Sequence, residues 1–163
     1  MKIYRKQTIL LFLIALITIS CADEDNTSDV YFLRAKFNNE SVNFPTRFAG
    51  SMQENGMGVY FFTGLSNLNN GTPSFSIALQ TNETFSADTY VIGSDILSAE
   101  YIISEGQSSY EANNDIDPKD FTLVITSINN NTVEGTFYGV LKSPEGQTIV
   151  VSEGSFLLPW QVQ

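Results

Sequence analysis

Three runs near the end of the chain, "FTLVITSI", "TVEGTFYGVL" and "QTIVVSEGSFLL", alternate apolar and polar residues and are separated only by "NNN" and "KSPEG". Two-residue alternation sends successive side chains to opposite faces of a strand, and the short Asn- or Gly-containing links suit hairpin turns. The same pattern recurs upstream. In "SFSIALQ", Phe75, Ile77 and Leu79 share one face and Ser74, Ser76, Ala78 and Gln80 the other; in "VYFLRAKF", Tyr31, Leu33, Ala35 and Phe37 oppose Arg34 and Lys36. "NNES" reads as a turn, and "VNFPTRF" opens a partner segment in which Val42 and Phe44 share a face until Pro45 limits it. "GVYFFTGL" is nearly continuous in apolar residues, as in a central strand covered on both sides or one whose outer aromatics meet something. Further strands are expected around Tyr90-Val91-Ile92 and "AEYIIS", with "EGQSSYEANNDIDPKD" as a long polar connection. No segment repeats with a helical period between caps. The sequence therefore predicts an all-β fold: an antiparallel two-sheet β-sandwich, or alternatively a closed or partly open up-and-down β-barrel.

The first thirty residues obey a different logic. Lys2, Arg5 and Lys6 precede an apolar run from Ile9 to Ile19, the basic head and apolar body of a secretion signal. A helix of that length rises about 16 Å, too little for a hydrocarbon layer of about 30 Å. Residues 1–20 are thus expected to be a removable leader, residues 21–29 ("CADEDNTSD") an acidic flexible tether, and residues 30–163 a single β domain.

Thr18-Ile19-Ser20-Cys21 resembles the lipobox of bacterial lipoproteins, in which a small residue such as Ser20 precedes the cleavage point and the Cys becomes the acylated first residue of the mature chain. Asp23, Glu24 and Asp25 just after it resemble the acidic export signal of surface lipoproteins of the Bacteroidota. The opening "AKFNNESVNF" and the closing "GTFYG" and "EGSF" are similar to small all-β domains carried by such lipoproteins. The resemblance implies diacylglycerol and palmitate-type acylation at Cys21 and display on the outer membrane. Chemistry is compatible: Cys21 is the only cysteine, so it has no intrachain disulfide partner, and two or more acyl chains at about 0.8 kcal/mol per buried CH₂ hold a protein stably to a bilayer. The alternative is an ordinary signal peptide that leaves Cys21 as a free thiol.

Removal of the leader leaves five basic residues against eighteen acids, a formal charge of −13. Such a surface opposes phosphate backbones, so nucleic acid is not an expected partner, and it favours solubility. The chain has no His, and it carries no Walker loop, dinucleotide fingerprint or zinc spacing. Catalysis would have to rest on carboxylates alone, such as Asp88 with Asp95 or Glu100 with Glu105, and no spacing singles out either pair. An enzyme is not expected, nor a cofactor beyond calcium. In "NNDIDPKD", Asn113, Asp115, Asp117 and Asp120 offer hard oxygen ligands for Ca²⁺ without the EF-hand's Gly and Glu; the other reading is an Asx-rich turn.

A ligand surface is the leading functional expectation. Tyr60 and Phe62, or Tyr138, are candidates for aromatics on the face opposite the core, although both faces of the Tyr60–Phe62 strand could equally be buried. Trp160, after Leu158-Pro159, either plugs one end of the core or stands out as a contact. The expected role is a non-catalytic, lipid-anchored envelope protein that binds a glycan, a peptide or a partner protein. The alternatives are a structural envelope lipoprotein without a ligand pocket, a barrel holding a small apolar ligand, and a carboxylate-only hydrolase.

Overall fold

The computed structural model describes residues 30–54, 56–67, 71–107 and 109–162. The leader, Cys21 and the acids Asp23, Glu24 and Asp25 lie outside the described residues. Eleven strands follow in order: β1 (Phe32–Phe37), β2 (Glu40–Asn43), β3 (Thr46–Glu54), β4 (Met57–Leu65), β5 (Ser74–Thr81), β6 (Thr89–Val91), β7 (Ile96–Ile102), β8 (Tyr110–Ala112), β9 (Phe121–Ile128), β10 (Thr132–Lys142) and β11 (Thr148–Val162). The fold is all-β, and the strands join in one sheet, ordered β2-β1-β11-β3-β4-β5-β7-β8-β10-β9-β6 with a further β10–β11 pairing.

That extra pairing closes seven strands into a ring. β11 presents one edge to β10 along its length and divides the other, antiparallel to β1 through Val151–Leu157 and parallel to β3 through Trp160–Val162. β10 is divided likewise, pairing with β9 up to Gly139 and with β8 through the single register pair Lys142 and Glu111.

Aromatic rings from opposite sides of the ring of strands meet in its interior. Phe37 of β1 stacks on Tyr101 of β7 at 3.9 Å, Phe75 of β5 on Phe137 of β10 at 4.9 Å, and Phe62 of β4 meets Phe156 of β11 at 5.0 Å. None of these strand pairs are neighbours in the sheet. β2-β1-β11-β10-β9-β6 thus faces β3-β4-β5-β7-β8 across a common interior, in a fold that is sandwich- or barrel-like. Six Phe side chains, at 44, 62, 75, 121, 137 and 156, are fully buried, each contributing about 1.5–3 kcal/mol relative to exposure. Burial, and next the negative charge of Glu40, push the Tyr101 hydroxyl above its ordinary pKa.

The parallel β11–β3 pair departs from the antiparallel expectation, and chain direction explains it. β2 runs antiparallel to β1 and so in the same sense as β11; Pro45, with no N–H to donate, breaks the strand, and β3 continues that sense until it meets the end of β11. The β1–β2 turn has Asn38 at φ 49° and Asn39 at φ 70°, the type I′ geometry matched to strand twist, which Asn tolerates. Asn38 also clamps the hairpin to β11: its N–H donates to the Val150 carbonyl and its Oδ1 accepts from the Val150 N–H, both at 2.9 Å.

β11 contains one residue more than its neighbours on both sides. Its register with β1 slips between Arg34 and Lys36, and with β10 between Phe137 and Gly139. Glu153 lies within both slips at φ 52°, a bulge with a left-handed non-glycine residue. Gly154 beside it is close to obligatory, because a β-carbon there would collide with the Phe137 carbonyl oxygen and ring.

Candidate functional site

The outward face of the β2-β1-β11-β10 layer carries a row of polar side chains set by register. Asn43 lies opposite Arg34, Arg34 opposite Ser155, and Ser155 opposite Thr136. Next to this row Lys36 lies opposite Ser41, and its Nζ reaches the carboxylate of Glu153 at 2.7 Å. Arg34, Lys36, Ser41, Asn43, Glu153 and Ser155 line an open groove of about 510 Å³, within the size range of ligand sites. Alternation places these groups here: Leu33, Ala35 and Phe37 fill the core, so Arg34 and Lys36 must face out.

Arg34 is held, and among the described residues no carboxylate pairs with it. Its Nε donates to Ser155 Oγ at 3.3 Å, and its guanidinium lies 4.8 Å from the centre of the Phe32 ring. Tyr138 sits on the adjoining β10, opposite the bulge, with half of its surface exposed (51%). Of the four aromatics proposed from sequence as a ligand surface, Tyr138 is the one on an open outward face.

The other three point the opposite way. Phe62 is fully buried and Trp160 nearly so. Tyr60 is half-buried, its ring stacked on Phe85 at 4.2 Å and on Trp160 at 6.0 Å, while Trp160 packs on Phe85 at 5.4 Å. Tyr60 and Phe62 are thus core-face residues of β4, and Trp160 plugs the core instead of standing out. Small residues of β3 make the room: Trp160 pairs with Ala49, and Tyr60 with Ser51. The outward aromatic of β4 is Phe61, edge-on to Phe48 of β3 at 6.0 Å. Phe48 and Met52 are 44% and 48% exposed, so this face is apolar where the first is polar. Two core-facing glycines signal this orientation in the sequence, because Gly58 and Gly64 share the parity of Tyr60 and Phe62 and leave space for the rings of Tyr60 and Phe44.

The loop proposed for calcium is organised by protein hydrogen bonds. Asn113 Oδ1 accepts from the Asp115 N–H at 2.9 Å, an Asx turn, and the Asp117 carbonyl accepts from Lys142 Nζ at 3.1 Å. Asn114 ties the loop to the β6–β7 turn, accepting from the Gly93 N–H and donating to the Asp95 carbonyl. Asp115, Asp117 and Asp120 are exposed, and among the described residues no three acids, His or Cys converge as a metal group. Asp88 and Asp95 line one acidic groove of about 360 Å³ with Glu83 and Tyr90. There Asp88 accepts from the Thr89 N–H, while Asp95 accepts from the Val91 N–H and the Ser94 hydroxyl, the bonds of turn-forming residues. Glu100 is half-buried on β7 and Glu105 exposed in the following loop.

Comparison with protein-family models, with curated proteins and with solved structures gave no match for this chain.

Proposed function

We propose that this chain is a lipid-anchored protein of the cell envelope, displayed from the outer membrane by acylated Cys21, whose β domain binds glycan without catalysing a reaction. The anchoring half rests on the leader, Ser20-Cys21 and the acids that follow. The binding half rests on one observation, the polar row Asn43–Arg34–Ser155 lining an open groove and continued by Thr136 and the exposed Tyr138 on β10. Sugars present hydroxyl groups and an apolar ring face, and hydroxyl, amide and aromatic side chains on a rigid sheet complement both at low entropic cost. In this reading the acids that cap turns, Asp88 and Asp95, are structural.

The test has two arms. Intact mass of the membrane-extracted protein beside Cys21→Ala, with protease shaving of whole cells, should give acyl mass on a chain beginning at Cys21 and its removal from outside. A soluble, unacylated chain refutes the anchor. A glycan array probed with the purified protein and with Tyr138→Ala should give signals that the variant loses; an array without signal refutes the binding role.

The outward Phe48–Phe61 pair with Met52 favours a second reading, contact with an envelope partner protein on the β3–β4 face. Crosslinking in whole cells that is lost in Phe48→Ser and retained in Tyr138→Ala would favour it over glycan binding.

A further inference from the structure

We infer that the groove between β1, β2 and the β11 bulge takes a sugar bearing one carboxylate, with Arg34 as the group that recognises its charge; this deepens the glycan reading and rests on it. Arg34 is oriented from two sides, by Ser155 Oγ on its Nε and by the Phe32 ring beneath its guanidinium. Neither contact involves its terminal amino groups, and among the described residues no carboxylate pairs with it. A planar fork that is positioned but not neutralised fits the two oxygens of a carboxylate.

Charge fixes the stoichiometry. Lys36 is neutralised by Glu153 at 2.7 Å, so the groove carries one net positive charge from Arg34. One carboxylate balances it, whereas a phosphate dianion or a densely charged polymer would meet the repulsion of a strongly acidic chain. The bulge is what makes the compensation local, because the extra residue of β11 carries the Glu153 carboxylate to Lys36.

The surroundings favour a sugar over a peptide. A peptide added as a strand would pair with the free edge of β2, whereas the groove lies over the outward face of β1, whose backbone is paired on both sides, with β2 and with β11. What the groove offers instead is Ser41, Asn43 and Ser155, hydroxyl and amide groups that exchange hydrogen bonds with a polyol.

The experiment is calorimetric titration of the full chain in detergent micelles with disaccharides carrying one glucuronic or one galacturonic acid, each beside its methyl ester. Esterification removes the charge and keeps the hydroxyls. At least one acid should bind about tenfold more tightly than its ester, as a charge-assisted contact implies, and the preference should shrink between about 0.05 and 0.3 M salt. Arg34→Gln should erase the difference between acid and ester, whatever it does to their common affinity, and Arg34→Lys should keep part of the preference. Equal binding of acid and ester, or a preference that survives Arg34→Gln, overturns the inference and leaves the glycan reading standing. Failure of all four sugars with neutral glycans still bound on the array overturns the groove assignment alone. Silence in both assays overturns both.

Discussion

Glu153 occupies the left-handed region at φ 52° while its carboxylate pairs with Lys36, and two substitutions separate these features. Glu153→Ala removes the ion pair, whose members are 35% and 69% exposed, and should cost about 0.2–1 kcal/mol. Glu153→Gly loses the same pair but also relieves the steric cost of a β-carbon at positive φ, about 1–2 kcal/mol. Against this stands the extra freedom that Gly gives the unfolded chain, about 0.4–1 kcal/mol. The Gly variant should therefore be more stable than the Ala variant by about 0.5–1 kcal/mol. With an unfolding entropy of about 2.1 cal/mol/K per residue over roughly 130 residues, that is a Tm difference of about 2–4 °C. Scanning calorimetry or urea unfolding of the two variants under identical conditions measures it. An Ala variant as stable as the Gly variant would mean that residue 153 is not held left-handed, and the bulge that brings Glu153 to Lys36 would have to be redrawn.

Phe62→Ala should destabilise by about 3–5 kcal/mol and Phe61→Ala by about 1 kcal/mol or less; similar costs in urea unfolding would contradict the orientation of β4. Gly154→Ala should cost about 1–3 kcal/mol, because the Phe137 carbonyl and ring leave no space for its β-carbon; an unchanged melting temperature would refute that packing. The raised pKa of Tyr101 means that the unfolded chain releases this proton first as pH rises. Its contribution is therefore full below the ordinary tyrosine pKa of about 10 and is lost as pH climbs through the higher folded value. Tyr101→Phe should accordingly flatten the alkaline end of the stability–pH profile, and a profile parallel to that of the parent would refute this.

Much of the fold is legible in the sequence wherever large apolar and polar residues alternate strictly. β1, β5, β9 and β10 fall where that pattern puts them, with Leu33, Phe75, Leu123 and Phe137 inside, whereas in β11 the bulge at Glu153 shifts the parity between Val151 and Phe156, both buried. Legibility fails where size and burial are decoupled. β3 turns its large residues Phe48 and Met52 outward and buries Ala49 and Ser51, since Trp160 and Tyr60 already occupy the interior. β4 is apolar at both parities, so alternation alone cannot orient Tyr60, Phe61 and Phe62. β8 is three residues inside a polar stretch, with Ala112 its one buried apolar side chain, and its existence depends on the distant β7 and β10. The groove was half visible: Arg34 and Lys36 read as outward, but the meeting with Ser155 and Glu153 spans more than a hundred residues and hinges on an irregularity in β11.

The partners of β11 also set an order of events. β1, β3 and β10 lie in separate parts of the chain, and β11 pairs with all three. Apart from β11, no strand pairs with the β1–β2 hairpin, and the β3-to-β8 meander pairs with β10 through the single Glu111–Lys142 register pair. The β1–β11 and β3–β11 pairings join residues more than a hundred positions apart, and non-local pairing of this kind is what slows β proteins to milliseconds to seconds. Until those pairs form, the edges of β1 and β3 that face β11 are open to pairing with another copy of the chain.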